Sequence, residues 1–288
     1  MEPKTSCTDI KPLSFAFMML LLFSGLGYSP QITAEPKSYT FGVVPQQSAT
    51  KLARNWVPIL KLLSEKTGVD LRFATAPDIP TFEKRLSDGE YDFAYMNPYH
   101  YTVFHENPGY VAFAKRANKK ITGIIVVRED SDYQSVNDLD GQVLVFPAPA
   151  AFAATLLVRS SLNKLKVAHE PKFVSSHDSV YRAVAGKFAD AGGGIVRTLN
   201  TIDPSIRSQL RVLWKSEGYT PHAFAVHSRI PSDMVGKLRD AMLELHTEEK
   251  GKAALEKLNI NEIEAAENHD WDDVRALKIQ PSMVDIEP

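Results

Sequence analysis

Residues 82–96 read Phe82-Glu-Lys-Arg-Leu86-Ser-Asp-Gly89-Glu-Tyr-Asp92-Phe-Ala-Tyr-Met96, and residues 180–194 read Val180-Tyr-Arg-Ala-Val184-Ala-Gly186-Lys-Phe-Ala-Asp190-Ala-Gly-Gly-Gly194. Each stretch is an amphipathic helix, a glycine able to take a left-handed C-cap, and an aspartate opening a short apolar strand. The two aspartates lie 98 positions apart, 190 minus 92. Two such units at that separation predict two similar α/β lobes with a ligand cleft between them. The competing reading is a chance recurrence, since helix–Gly–strand is a common α/β connection.

Outward from the first copy, the chain alternates strands and helices. Tyr39 to Pro45 reads as a buried strand and loop. Ala49 to Thr67 is helical, with Leu52, Trp56, Ile59, Leu60 and Leu63 at helical spacing and Pro58 as a kink or a restart. Strands follow at 69–73, 109–116 and 121–128, the last apolar and β-branched as in the centre of a sheet. After a polar stretch come a strand at 141–146, a helix at 150–162 and a strand at 170–174, then the second copy. Strands at 211–215 and 223–226 precede a C-terminal helical region from Pro231. The alternation predicts an α/β fold of two lobes, each a mostly parallel sheet flanked by helices. The expected boundaries are a signal peptide at 1–34, lobe one at 35–129 plus 225–288, and lobe two at 130–224. The outward crossing falls near Glu129–Tyr133 and the return near Ala223–His227.

The N-terminus addresses the compartment. Lys4 and Lys11 precede an apolar run from Pro12 to Leu26, and Ile32-Thr33-Ala34 supplies a small residue before Glu35. This is the charged region, apolar core and cut site of a secretory signal. The core is shorter than the ~20 residues of a spanning helix; an uncleaved anchor is the competing reading. The single cysteine, Cys7, precedes the apolar core, so a chain cut after Ala34 has no cysteine for a disulfide or a thiol nucleophile. Charged residues make up 24% and hydrophobic residues 44%, enough for a core, and the net charge of −2 gives no basic surplus for nucleic acid.

Several segments together resemble one family, the periplasmic binding proteins of phosphate, phosphite and phosphonate uptake. They are Gly42-Val-Val-Pro45; Trp56-Val-Pro58 with Leu60 and Leu63; and Gly89-Glu-Tyr-Asp92-Phe-Ala-Tyr-Met-Asn-Pro98 with Tyr101. Further on are Ser176-His177-Asp178, and Trp214-Lys215-Ser216 leading to Tyr219-Thr220-Pro221. The resemblance implies a type 2 periplasmic binding fold with a hinge of two crossing strands. It also implies closure on a small molecule and delivery to an inner-membrane permease, with a monomer, no cofactor and no metal expected. Two alternatives stand: an apolar or lipid-like ligand in the same fold, and a sensory module docking on a membrane receptor.

The departure from the family pattern is specific. The resemblance places a Ser-Thr-Ser run at the start of the helix after strand 143–146, where hydroxyls and backbone N–H groups hold phosphoryl oxygens. Here those positions are Ala151, Phe152 and Ala153. Three lost hydrogen bonds at ~1 kcal/mol each make ~3 kcal/mol, roughly a hundredfold in affinity. Phe152 is read either as a pocket residue or as core. Tyr95, Asn97, Tyr99 and Tyr101 follow a strand end, the usual place for a site in an α/β sheet; lobe packing is the alternative for Tyr99 and Tyr101. The resemblance makes His177 a ligand contact and Asp190 an acceptor of a ligand ammonium, against a solvated strand start for Asp190. Tyr219 and His222 lie on the return crossing and complete the candidate set. His100/His105 and His222/His227 are each five apart, poorly spaced for a metal on one helical face, and no nucleophile or phosphate-loop motif occurs.

Overall fold

The computed structural model describes residues 38–279; the expected signal segment 1–34 lies outside the described residues. Lobe one opens with β1 (Ser38–Val43), α1 (Ala49–Thr67), β2 (Asp70–Ala74), α2 (Ile79–Ser87), β3 (Phe93–Met96), α3 (Pro98–Glu106) and β4 (Tyr110–Arg116). The chain then crosses to β5 (Gly123–Arg128), β6 (Gln142–Phe146), a helical segment whose first turn, Phe152–Leu157, is π-helical and continues into α4 (Val158–Lys164), and β7 (His169–Phe173). Next come α5 (His177–Ala185), β8 (Ala191–Ile195), α6 (Val196–Thr201), α7 (Pro204–Arg207) and β9 (Leu210–Lys215). It returns through β10 (Ala223–His227) to α8 (Ser232–Glu244), α9 (Glu249–Lys257), β11 (Ile263–Ala265) and α10 (Asp272–Arg275).

Two sheets result, ordered β11-β4-β10-β3-β1-β2 and β7-β6-β8-β5-β9. They are mixed, not mostly parallel as expected. β1 pairs in parallel with β2 and β3, and β6 with β7 and β8, whereas β10 and β5 run antiparallel to their neighbours. The cause is the double crossing: β5 and β10 each enter a sheet from the opposite lobe. The outward crossing is also earlier than expected. β5 belongs to the second sheet, so the chain changes lobe within residues 117–122 and not near Glu129–Tyr133. The two crossings pair with each other: Ile121 and Tyr219 exchange backbone hydrogen bonds at 2.8 and 2.9 Å.

Local chemistry explains the elements that carry the site. Ser48 caps α1 by accepting from the Lys51 N–H, and Gly68 ends it at φ +72°. Pro58 sits inside that helix without ending it. Asp78, Asn97 and Ser176 cap α2, α3 and α5 in the same manner. After α2, Gly89 takes the left-handed turn at φ +66°; after α5, Gly186 does not, and Lys187 takes it at φ +63°. A continuous apolar core fills lobe one, and it includes Ala148, Ala150, Ala151, Phe152, Ala153, Ala154, Leu156 and Leu157 of lobe two. Two smaller clusters pack the faces of the second sheet.

Candidate functional site

The C-terminal ends of β3 and β8 point at the interface of the lobes, where ligands bind in open α/β sheets. Between them lies a small cavity lined by Gln46, Asn97, Ala151–Ala154, His177 and His222. Its volume is about 10 Å³, the room of roughly one water.

Hydrogen bonds cross this cleft from lobe to lobe. Asn97 uses both ends of its amide: Oδ1 accepts from the His100 N–H at 2.8 Å, and Nδ2 donates to the Ala150 carbonyl at 3.1 Å. Arg197 of lobe two donates to Gln46 Oε1 of lobe one. The Gln46 amide donates in turn to His222 Nε2 at 3.0 Å, which assigns the His222 proton to Nδ1. Further out, Gln47 donates to Thr201 Oγ1 at 2.8 Å and Lys51 to the Thr201 carbonyl at 2.7 Å.

Both cavity histidines are neutral. Burial, and then the charge of Arg197, lowers the His177 pKa from 6.5 to about 3. The same causes, in the same order, hold His222 well below its ordinary value. His177 is held by Thr198 Oγ1 at 3.4 Å, which itself meets the Tyr181 hydroxyl at 2.8 Å. His222 stacks on Tyr95 with centroids 4.9 Å apart and planes 16° apart.

The Ala/Phe segment is seated against lobe one. Phe152 is 1% exposed, and its ring meets Tyr219 edge-on at 5.8 Å. Thr155 and Leu156 both donate to the Ala151 carbonyl, at 2.7 and 3.3 Å, which widens the first turn into π geometry. The N–H groups of Phe152, Ala153 and Ala154 make no hydrogen bond among the described residues. Anion chemistry at this point therefore rests on backbone donors and the helix dipole.

Of the expected site residues, Asn97, Ala151, Phe152, Ala153, His177 and His222 line this cavity. Tyr95 lines a larger neighbouring one, and Tyr219 packs on Phe152. Three are elsewhere. Tyr101 is fully buried in lobe one; its hydroxyl donates to Asn268 Oδ1 at 3.1 Å and its ring lies 4.5 Å from Trp271. Tyr99 packs on the lobe-one core and lines neither cavity. Asp190 sits at the opposite end of β8 from the cavity, about 16 Å along five strand residues. Its Oδ2 accepts from the Val143 N–H at 3.1 Å and its Oδ1 from the Tyr133 hydroxyl at 3.2 Å, so it ties strands rather than a ligand. Gln46 and Arg197 were not anticipated. Gln46 directly follows Gly42-Val-Val-Pro45, and that adjacency was the available signal.

The sequence model of one family, described as the periplasmic substrate-binding protein of the phosphonate ABC transporter, matches residues 41–271. The chain belongs to that family. Among its curated relatives, the phosphate-import protein PhnD of Mycolicibacterium smegmatis is 23% identical over 251 residues, covering 75% of each chain. The phosphonates-binding periplasmic protein of Escherichia coli is 21% identical, covering 85% of this chain and 77% of the relative. PhnD1 of Prochlorococcus marinus, solved in complex with methylphosphonate, shares the fold: TM-score 0.80, 17% identity, 86% of this chain and 100% of that one. The family is one of transport binding proteins, and this chain is such a substrate-binding component. No helix among the described residues is long and apolar enough to cross a membrane.

Proposed function

We propose that the protein is exported to the periplasm, closes its two lobes on a small phosphoryl-type solute, and delivers it as a monomer to an inner-membrane permease, without catalysis. One observation carries this reading: the relay from Arg197 through Gln46 to His222, with Asn97 to Ala150, joins lobe one to lobe two across a two-strand hinge. Contacts that exist only when the lobes meet make closure a two-state event whose balance a bridging ligand shifts. The inner cavity holds neutral imidazoles and backbone donors but no hydroxyl at 151–153, so phosphate and simple alkylphosphonates bind weakly. An apolar ligand is not favoured, because the Ala/Phe segment buries its apolar surface on lobe one. Native mass spectrometry of the purified protein, with small-angle scattering before and after removal of any retained solute, tests capture. An unchanged radius of gyration and no retained or added solute bound would end this reading.

A further inference from the structure

Beside the inner cavity, and sharing Ile121, Ile195 and His222 with it, lies a second cavity of about 500 Å³. That is the size of a small-molecule site. Arg116 ends β4 in lobe one, Lys119 and Lys120 lie on the outward crossing, and Arg197 and Lys215 come from lobe two; all five line the cavity, and no carboxylate among the described residues does. Lys120 is paired with Asp273 at 3.0 Å. Among the described residues, Arg116, Lys119, Arg197 and Lys215 have no carboxylate within ion-pair distance. We propose that this cavity is the specificity pocket of the protein, taking a solute with two or more phosphoryl groups, such as an organic diphosphate. The assignment rests on the capture reading above and names its ligand class.

Three features support it. The cations come from both lobes and the hinge, so one bound polyanion touches every part that moves on closure. The Arg116 guanidinium is half-buried and makes no side-chain hydrogen bond among the described residues; burial lowers its pKa, the nearby Tyr95 hydroxyl works the other way, and the like charge of Arg197 across the cleft lowers it further. Like charges brought together by closure oppose it until an anion lies between them. Finally, guanidinium groups bind phosphoryl oxygens in a two-pronged fashion. The hydroxyls missing at Ala151 and Ala153 thus have a charged replacement a short way along the same cleft.

Calorimetric titration of the full protein with inorganic tripolyphosphate and with methylphosphonate tests this, alongside Arg116→Gln and Lys215→Gln. Lys215 is exposed, so its substitution leaves folding intact. The expected result is tripolyphosphate binding at least tenfold tighter than methylphosphonate, weakened tenfold or more in each variant and steeply by added salt. Tripolyphosphate binding undiminished in both variants would overturn the assignment of this cavity. Absence of tripolyphosphate binding would overturn the ligand class. In that case methylphosphonate binding, or a solute retained through purification, shows that the capture reading survives.

Discussion

Asp92 and Asp190 hold the same place in the two lobes. Each stands one residue before the strand of its unit, β3 or β8, and uses Oδ2 to accept a backbone N–H from the neighbouring parallel strand: Thr40 at 2.8 Å for Asp92 and Val143 at 3.1 Å for Asp190. The repeat in the sequence is therefore a repeat of strand clamps. Asp190→Ala should lower stability by about 1 kcal/mol, the cost of orphaning a partly buried donor, and leave affinity per folded molecule unchanged. Urea unfolding and calorimetry read the two quantities separately; a loss of affinity at constant stability would return Asp190 to the binding site.

The Asn97 amide can be split by a single atom exchange. Asn97→Asp keeps the oxygen that caps α3 but replaces the donor to the Ala150 carbonyl with a second acceptor. The lobe should stay folded, while two facing oxygens oppose closure. A larger radius of gyration at a melting temperature within a few degrees of the parent is expected. A scattering curve identical to the parent's would show that this bond does not hold the lobes together.

At 151–153 the expectation is a gain of function. The unmodified protein should bind phosphate and methylphosphonate weakly or not at all, and Ala151→Ser with Ala153→Ser should strengthen binding about tenfold or more, at ~1 kcal/mol for each restored hydrogen bond. Sub-micromolar binding by the unmodified protein would mean that the free N–H groups of Phe152, Ala153 and Ala154 suffice.

Acid should destabilise the protein through its buried histidines. The unfolded chain takes up a proton at His177 near pH 6.5, the folded chain only near 3. Stability is therefore full above 6.5 and is lost as the pH falls, by up to about 1.4 kcal/mol per unit for this residue. His177→Gln should flatten the decline measured by urea unfolding between pH 6.5 and 4.5. An unaltered slope would show that His177 titrates normally.

Much of this was legible in the chain because it is local. Helical spacing reports α1, α2 and α5 directly, and left-handed glycines close α1 at Gly68 and α2 at Gly89, whereas α5 is closed by Lys187 instead of Gly186. The outward crossing was misplaced because the apolar run 121–128 announces a buried strand without saying which sheet it joins. Tyr101 and Asp190 were assigned to the cleft by analogy of position, and their partners Trp271 and Val143 lie far away in sequence. Arg116 and Arg197 stand in no local motif that would mark them, and only the topology brings them to one cavity.

Gly123 and Gly193 flank the Ala/Phe segment so closely that an added Cβ would meet the Ala153 carbonyl oxygen at 2.2 Å and the Ala154 carbonyl oxygen at 1.9 Å. The floor of the cleft in lobe two is thus fixed by bare backbone against bare backbone. New specificity, whether drifting in nature or chosen at the bench, has little freedom to come from beneath; it must be written on the opposite wall and the hinge, by residues such as Gln46, Arg116 and Lys119.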